Sequence, residues 1–363
     1  MSTYNPKIAE AQLQLPTTDI TADMDFLIDL GFRLDKIFPA DDPAVAILSG
    51  YGLQLALDRT IESAPAVINL ITEHPQHFDT GKTQYIAPNG TRFNIVIKTK
   101  TLITPNTQHT FEVRPLQDNN AWIIGRAGML YRDLIPDRLG GSIIASHIRI
   151  LEGGPVPDMV HYHTIGFQLI YCYSGWVKLV YEDQGPPFIL HAGDCVTQPP
   201  EIRHRVLEAS DGLEVIEIGV PAEHITTIDH ELELPTATHK PDRVYHGQTF
   251  CHHQLQKATW QPWRVTGFEY RDTGIYNATA GDAAVHIARP LTHTTQAQLQ
   301  HHTDILFTFV LNGNTQLITQ EKDIQNLKKG DAFVIPPDME YRFHEISPDL
   351  ELLEVALPGH QNI

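Results

Sequence analysis

The chain is predicted to be mainly β: a small α+β domain followed by two tandem copies of one antiparallel barrel. Three observations carry this. Short apolar or alternating segments recur between turn residues, as in QLIYCYSG, DCVTQPP, DILFTFVLNG and DAFVIPP, and many short strands at close spacing make a sandwich or barrel. A helix is signalled only at Asp19–Leu30, where a capping residue precedes the apolar-periodic run and Gly31 closes it. Finally, the second half of the chain repeats itself.

Residues 7–58 read as strand, helix and three strands, namely KIAEAQLQL, TADMDFLIDLG, FRLDKIF, AVAILSG and LQLALDR. A further hairpin is signalled by the PNG turn of KTQYIAPNGTRFNIVIK. The repeat follows. Trp122, Arg126, Gly128 and Tyr131-Arg132-Asp133 recur as Trp260, Arg264, Gly267 and Tyr270-Arg271-Asp272. Gly175, Gly193-Asp194 and Pro199-Pro200 recur as Gly313, Gly330-Asp331 and Pro336-Pro337, and LEVIEIGVP as LELLEVALP. The offset stays between 137 and 139 residues, so six matched features in order mark two copies of one β unit. The predicted domains are 1–120, 121–235 and 236–363.

Composition limits the function. With 26 Lys plus Arg against 44 Asp plus Glu, the net charge of −18 opposes nucleic acid and anionic membrane surfaces. An apolar content of 42% supports packed cores, and 19% charged residues are too few for a disordered chain. No apolar run approaches a bilayer span, and the opening residues do not read as a signal peptide. Three cysteines make no disulfide framework, which points to a cytoplasmic protein. The unusual count is 20 histidines.

A histidine-rich chain of this length contains about one HxH by chance, so that pair alone means nothing. Its register carries the weight. Copy one reads Gly154-x6-His161-Tyr162-His163-x4-Gln168-x6-Gly175, then Gly193-Asp194-x4-Pro199-Pro200-x3-His204. Two histidines at i and i+2 on a strand share one face, roughly 6.5 Å apart, and a third on a facing strand completes a metal-binding face with open positions. Imidazole suits Fe, Mn, Ni, Cu and Zn alike. In copy two the matching positions are Leu299, His301, Leu306 and Tyr341, so that barrel is expected to hold no metal. Residues private to copy one are the functional candidates: His161, His163, Gln168, His204, Gln198, Arg203 and Arg149, the last aligned with Ala288. Arg149 is the candidate anchor for a substrate carboxylate. Residues shared by both copies, the YRD motif and Glu217 among them, are expected to serve the fold. Cys172 is expected to be a buried small hydrophobe. The six histidines between 222 and 258 match no zinc spacing, and RVYHGQTFC is expected to run as a sheet-edge connector.

This two-part motif resembles that of the cupin superfamily, HxH-x(3–4)-E-x6-G followed by G-x5-P-x4-H, over roughly residues 121–358. The resemblance implies a bicupin of two jelly-roll barrels with one divalent metal, held by His161, His163 and His204. Gln168 stands where most cupins carry Glu, as a candidate ligand or a hydrogen-bonding catalytic residue. A metal-bearing first barrel, a degenerate second barrel and no Glu ligand resemble the gentisate-type ring-cleaving bicupins. That implies an iron dioxygenase cleaving a C–C bond in a small oxygenated anion. The alternatives are a non-oxidative metal enzyme (isomerase, lyase or hydrolase) and a binding module without turnover. The first domain resembles one βαβββ module of the glyoxalase, or vicinal oxygen chelate, superfamily. Its ligand strands offer only Gln12, Gln14 and Asp58, which implies a non-catalytic role. A homodimer acting on a small molecule is expected.

Overall fold

The structure, a computed structural model, describes residues 10–39, 41–79, 81–98, 102–118, 122–291, 297–320 and 322–359. The chain divides into a unit of residues 1–101 and a unit of residues 102–363. Among the described residues no helix is long and apolar enough to cross a membrane.

In the first unit, strand Leu13–Pro16 lies parallel to Leu53–Asp58, and the sheet continues through Val45–Gly50 to Arg33–Phe38. Lys7–Ala9 of the expected first strand lie outside the described residues. The expected helix spans Ile20–Asp29; the Asp19 carboxylate accepts from the Ala22 N–H, and Gly31 closes it at φ +104°, a left-handed angle that suits glycine. Gln84–Ile86 and Arg92–Ile97 form the expected hairpin, with Val67–Thr72 parallel to its second strand. The buried Asp23 carboxylate accepts from the Thr17 hydroxyl and the Asn89 N–H, fastening the PNG turn to the helix.

In the second unit each barrel has one large sheet and one smaller sheet. The large sheet of the first runs through Phe167–Ser174, Leu213–Val220 and Ile144–Ile150; that of the second runs through Ile305–Asn312, Glu351–Leu357 and Ala284–Pro290. The outer faces of these sheets pack together, bringing Phe167, Leu169, Ile216 and Ile218 into one core with Val285, Phe307, Leu353 and Val355. The inner faces fill the barrels separately. Strands buried on both faces need apolar residues at every step rather than alternation. That accounts for the near-continuous apolar character of LEVIEIGVP and LELLEVALP.

The two barrels exchange edge strands, which moves the expected boundaries. Glu112–Arg114, expected in the first domain, pairs with Ala332–Val334 of the second barrel. Reciprocally, Cys251–His253 pairs with Cys195–Thr197 of the first. The rest of RVYHGQTFC forms its own hairpin, Val244–Tyr245 with Gln248–Thr249. The YRD arginines complete the exchange. Arg132 Nη1 donates to the Gly330 carbonyl at 3.0 Å and Arg271 Nη1 to the Gly193 carbonyl at 2.9 Å. Asp331 and Asp194 accept from the Leu116 and Leu255 N–H groups, both at 2.7 Å. The repeated YRD and GD pairs thus serve the fold by locking each barrel onto the other, not by tying down their own leading strands.

Candidate metal centre

Strand His161–Thr164 alternates buried and half-buried residues, so His161 and His163 face the barrel interior while Tyr162 lies outside beneath the Arg203 guanidinium. The antiparallel partner of His161 is His204, at the head of strand His204–Ala209. One ligand nitrogen from each imidazole falls within 4.8 Å of the others. The ring orientations are fixed from behind: His161 Nδ1 meets the Met159 carbonyl at 2.7 Å, His204 Nδ1 the Ile202 carbonyl at 3.0 Å, and His163 Nδ1 the Thr226 hydroxyl at 2.9 Å. A carbonyl can only accept, so Nδ1 of His161 and of His204 carries the proton and their Nε2 lone pairs are left free. His161 Nε2 is buried without a partner, a vacancy a metal ion would satisfy. Tyr181 stacks on the His204 ring, with centroids 5.5 Å apart.

Burial holds all three imidazoles neutral, which is the metal-binding form. It pushes His163 down to about 2, aided by His161, His224 and Arg126, and lowers His161 and His204 as well. A histidine that stays neutral when folded but protonates when unfolded destabilises the fold as pH drops below the unfolded value of about 6.5. Stability of the metal-free chain is therefore expected to fall from pH 7 to 5.5. The His163 contribution is about 1.2 kcal/mol, measured as the difference between urea midpoints of wild type and His163→Asn at the two pH values.

Beside the triad lies a cavity of about 70 Å³, bordered on its polar side by Arg126, Tyr131, Gln198 and Glu217. Gln168 stands behind this wall and reaches it through Glu217. Its Nε2 donates to Glu217 Oε1 at 2.6 Å, and its buried Oε1 has no partner. Gln198 donates to the Tyr181 hydroxyl at 2.8 Å. Arg126 pairs with the buried Asp158, whose other oxygen accepts the Val206 N–H at 2.9 Å. His224 touches the His163 ring edge-on at 5.4 Å.

Arg149 is not brought to the site. Its guanidinium stacks 4.3 Å from the Trp122 ring centroid and its Nε pairs with Glu214 at 3.1 Å, while the neighbouring Ile148 and Ile150 line the cavity. Pairing explains the error: Ser146 faces Glu217 and His286 faces Glu354. The counterpart of Arg149 is therefore Arg289, which stacks on Trp260 in the same way, and not Ala288. A slip of one residue exchanges the two faces of a strand. Arg203 is likewise outside, paired with Asp229 at 3.2 Å. Cys172 is fully buried, and burial pushes its thiol up to about 12, which suits a packing role.

The second barrel fills the same space differently. Arg264 grips Glu354 through two contacts of 2.7 and 2.6 Å and reaches the Tyr341 hydroxyl at 3.3 Å. His301 is buried and bonds the Ile335 carbonyl at 2.8 Å. In the first barrel the matching Arg126 and Glu217 have exchanged this mutual pair for Asp158 and Gln168. Both copies carry them, which in sequence reads as a role in the fold, although Glu217, with Glu201, is also the nearest candidate base in sequence for a non-oxidative reaction. Asp158, next to the HxH segment, is the one local signal that this arginine has a different partner.

No family model and no curated protein matches the chain. Solved structures do. The oxalate decarboxylase of Lactobacillus farciminis, in a formate complex, is similar over 71% of this chain and 90% of its own, with 14% identity and a TM-score of 0.52. A variant of the Bacillus subtilis oxalate decarboxylase is similar over 70% and 80%, with 16% identity and a TM-score of 0.51. These likenesses show the fold, two tandem jelly-roll barrels.

Proposed function

We propose that the first barrel is a mononuclear metal enzyme acting on a small oxygenated anion. The triad carries this reading: three buried imidazoles, each tied at Nδ1, with their free nitrogens gathered in one place. A bound divalent ion would supply Lewis acidity and, if redox-active, an electron conduit, with iron the first choice and manganese, nickel, zinc and copper the alternatives. An all-imidazole set leaves the charge of the ion undiminished, which favours an anionic substrate. The similar solved structures act on oxalate, a substrate of that class. Arg126 is the cation at the cavity wall that would orient a carboxylate or enolate.

Oxygenative C–C cleavage is the first reading, because three protein ligands on one side leave room for a bidentate substrate and O2 together. A non-oxidative reading is favoured by Glu217, a carboxylate at the cavity wall held by Gln168 and so placed to move a proton. The two are separated by loading the chain anaerobically with Fe(II) and offering catechol, gentisate, β-diketones and oxalate while following O2. Consumption matched to product is expected. Turnover without O2 uptake, with Glu217→Gln lowering kcat at unchanged metal content, would establish the second reading. Full metal content with no turnover of any substrate would overturn both.

The first unit is read as a non-catalytic glyoxalase-like module. Gln12, just before the first strand, is engaged with Gln54, and Asp58, at the end of its partner strand, with Thr60. Its exposed Val67, Ile71 and Ile86 support the reading of a homodimer, which sedimentation velocity of the full chain checks.

A further inference from the structure

The cavity of the first barrel is polar only at the level of the triad. Strand pairing orders its walls in layers. Tyr181 faces His204, Leu179 faces Val206, and Val177 faces Ala209. On the opposite wall Glu217 faces Ile170, and Leu213 faces Ile150. Each step of two residues advances roughly 6.5 Å along a strand, so the wall passes from imidazole, tyrosine and carboxylate through two successive layers of aliphatic side chains. Every one of Ile150, Ile170, Val177, Leu179, Val206 and Leu213 lines the cavity.

A barrel interior could be apolar merely because it is a core, and the second barrel shows what such a core looks like in this fold. At the position of Val206 it carries Phe343, by the same strand pairing, and at that of Met129, whose carbonyl accepts from the Gly125 N–H as that of Phe268 accepts from the Trp263 N–H, it carries Phe268. Those rings meet each other at 6.4 Å, with Trp263 at 5.7 Å from Phe268 and Phe333 at 6.4 Å from Phe343. Aromatic rings thus fill the second interior where the first has smaller aliphatic groups around a cavity of about 70 Å³. Close-packed interiors rarely leave such room.

We infer that the substrate of the first barrel carries an apolar body, alkyl or aryl, attached to its metal-chelating head, and that the two aliphatic layers beneath the triad form its subsite. This rests on the metal-centre reading and names the substrate class for it. An anion of two or three carbons would leave these layers unused.

The test uses the full chain loaded with Co(II), whose visible spectrum reports ligand binding, and a series of n-alkyl hydroxamates from acetohydroxamate to octanohydroxamate. Each buried methylene is expected to strengthen binding about four-fold, so hexanohydroxamate should bind at least about 30-fold tighter than acetohydroxamate. In Val206→Phe, which installs the ring found in the second barrel, that ratio should fall below about three. Met129→Phe serves the same purpose if Val206→Phe does not fold. Affinity that is flat along the series in the wild type would overturn this inference alone. No response to any hydroxamate at full cobalt loading would overturn the metal-centre reading and the inference with it.

Discussion

Replacing His204 with alanine is expected to lower bound Fe(II) or Co(II) from one equivalent per chain to below about a tenth at micromolar metal. The site has three imidazoles and no charged ligand in its gathered group, so no protein carboxylate compensates for a lost ring. Loss of a supporting partner alone costs roughly 10–100-fold in metal affinity, and loss of a ligand exceeds that. His204 is also the ring that faces the HxH strand from the other side of the site. Two controls locate the effect. His301→Ala, in the second barrel, is expected to leave metal content unchanged. His224→Ala touches His163 only through its ring and is expected to lower affinity by less than ten-fold. A second readout needs no substrate: metal at 1,000 times its dissociation constant stabilises the wild type by about 4 kcal/mol, and the metal-dependent rise in Tm should vanish in His204→Ala. Retention of one equivalent by the variant would move the centre elsewhere.

The sequence made the barrels and the triad legible because both rest on local order. The repeat keeps its offset, and His161, His163, Gln168 and His204 keep a fixed register with the glycines and prolines that shape the turns between them. What escaped depends on partners far away in the chain. Strands Glu112–Arg114 and Cys251–His253 have three residues each, too few to show a period, and their partners lie in the other barrel. The copies are offset by 140 residues at Arg149 rather than 139, and a one-residue difference in register turns an outward guanidinium inward. Arg126 and Glu217 are carried by both copies, which masks their part in the site. The same two residue types form a closed pair in one barrel and are parted in the other, and only Asp158 and Gln168 make the difference. Sharing between copies therefore marks a common backbone position, not a common role.

Arg271→Met is expected to cost about 3 kcal/mol, more than Arg132→Met, although both side chains occupy matching places and both are almost fully buried. Methionine keeps the apolar stem and removes only the guanidinium. Arg271 has three partners beyond its own strand: the Gly193 carbonyl, the Tyr171 hydroxyl at 3.3 Å and His253 Nε2 at 2.9 Å. Its loss strands buried acceptors at the joint between the barrels, each worth about 1–3 kcal/mol when left unpaired. Arg132 also bonds two carbonyls, Gly330 and Arg114, and approaches His147 Nδ1 at the longer distance of 3.4 Å, but burial and the nearby Arg114 guanidinium push it down to about 10 against the raising effect of Asp331 and Glu214. Burial outweighs those two carboxylates, so removing the charge relieves desolvation as well as breaking hydrogen bonds. A net cost of about 1 kcal/mol follows for Arg132→Met. For a unit of this size 1 kcal/mol corresponds to roughly 2–4 °C, so Arg271→Met should lower Tm by about 6–12 °C and Arg132→Met by a few degrees. Calorimetry of the two variants decides it: equal losses would show that the charge environment of Arg132 has no energetic weight, and losses under 1 kcal/mol for both would show that the crossed arginines do not hold the barrels together.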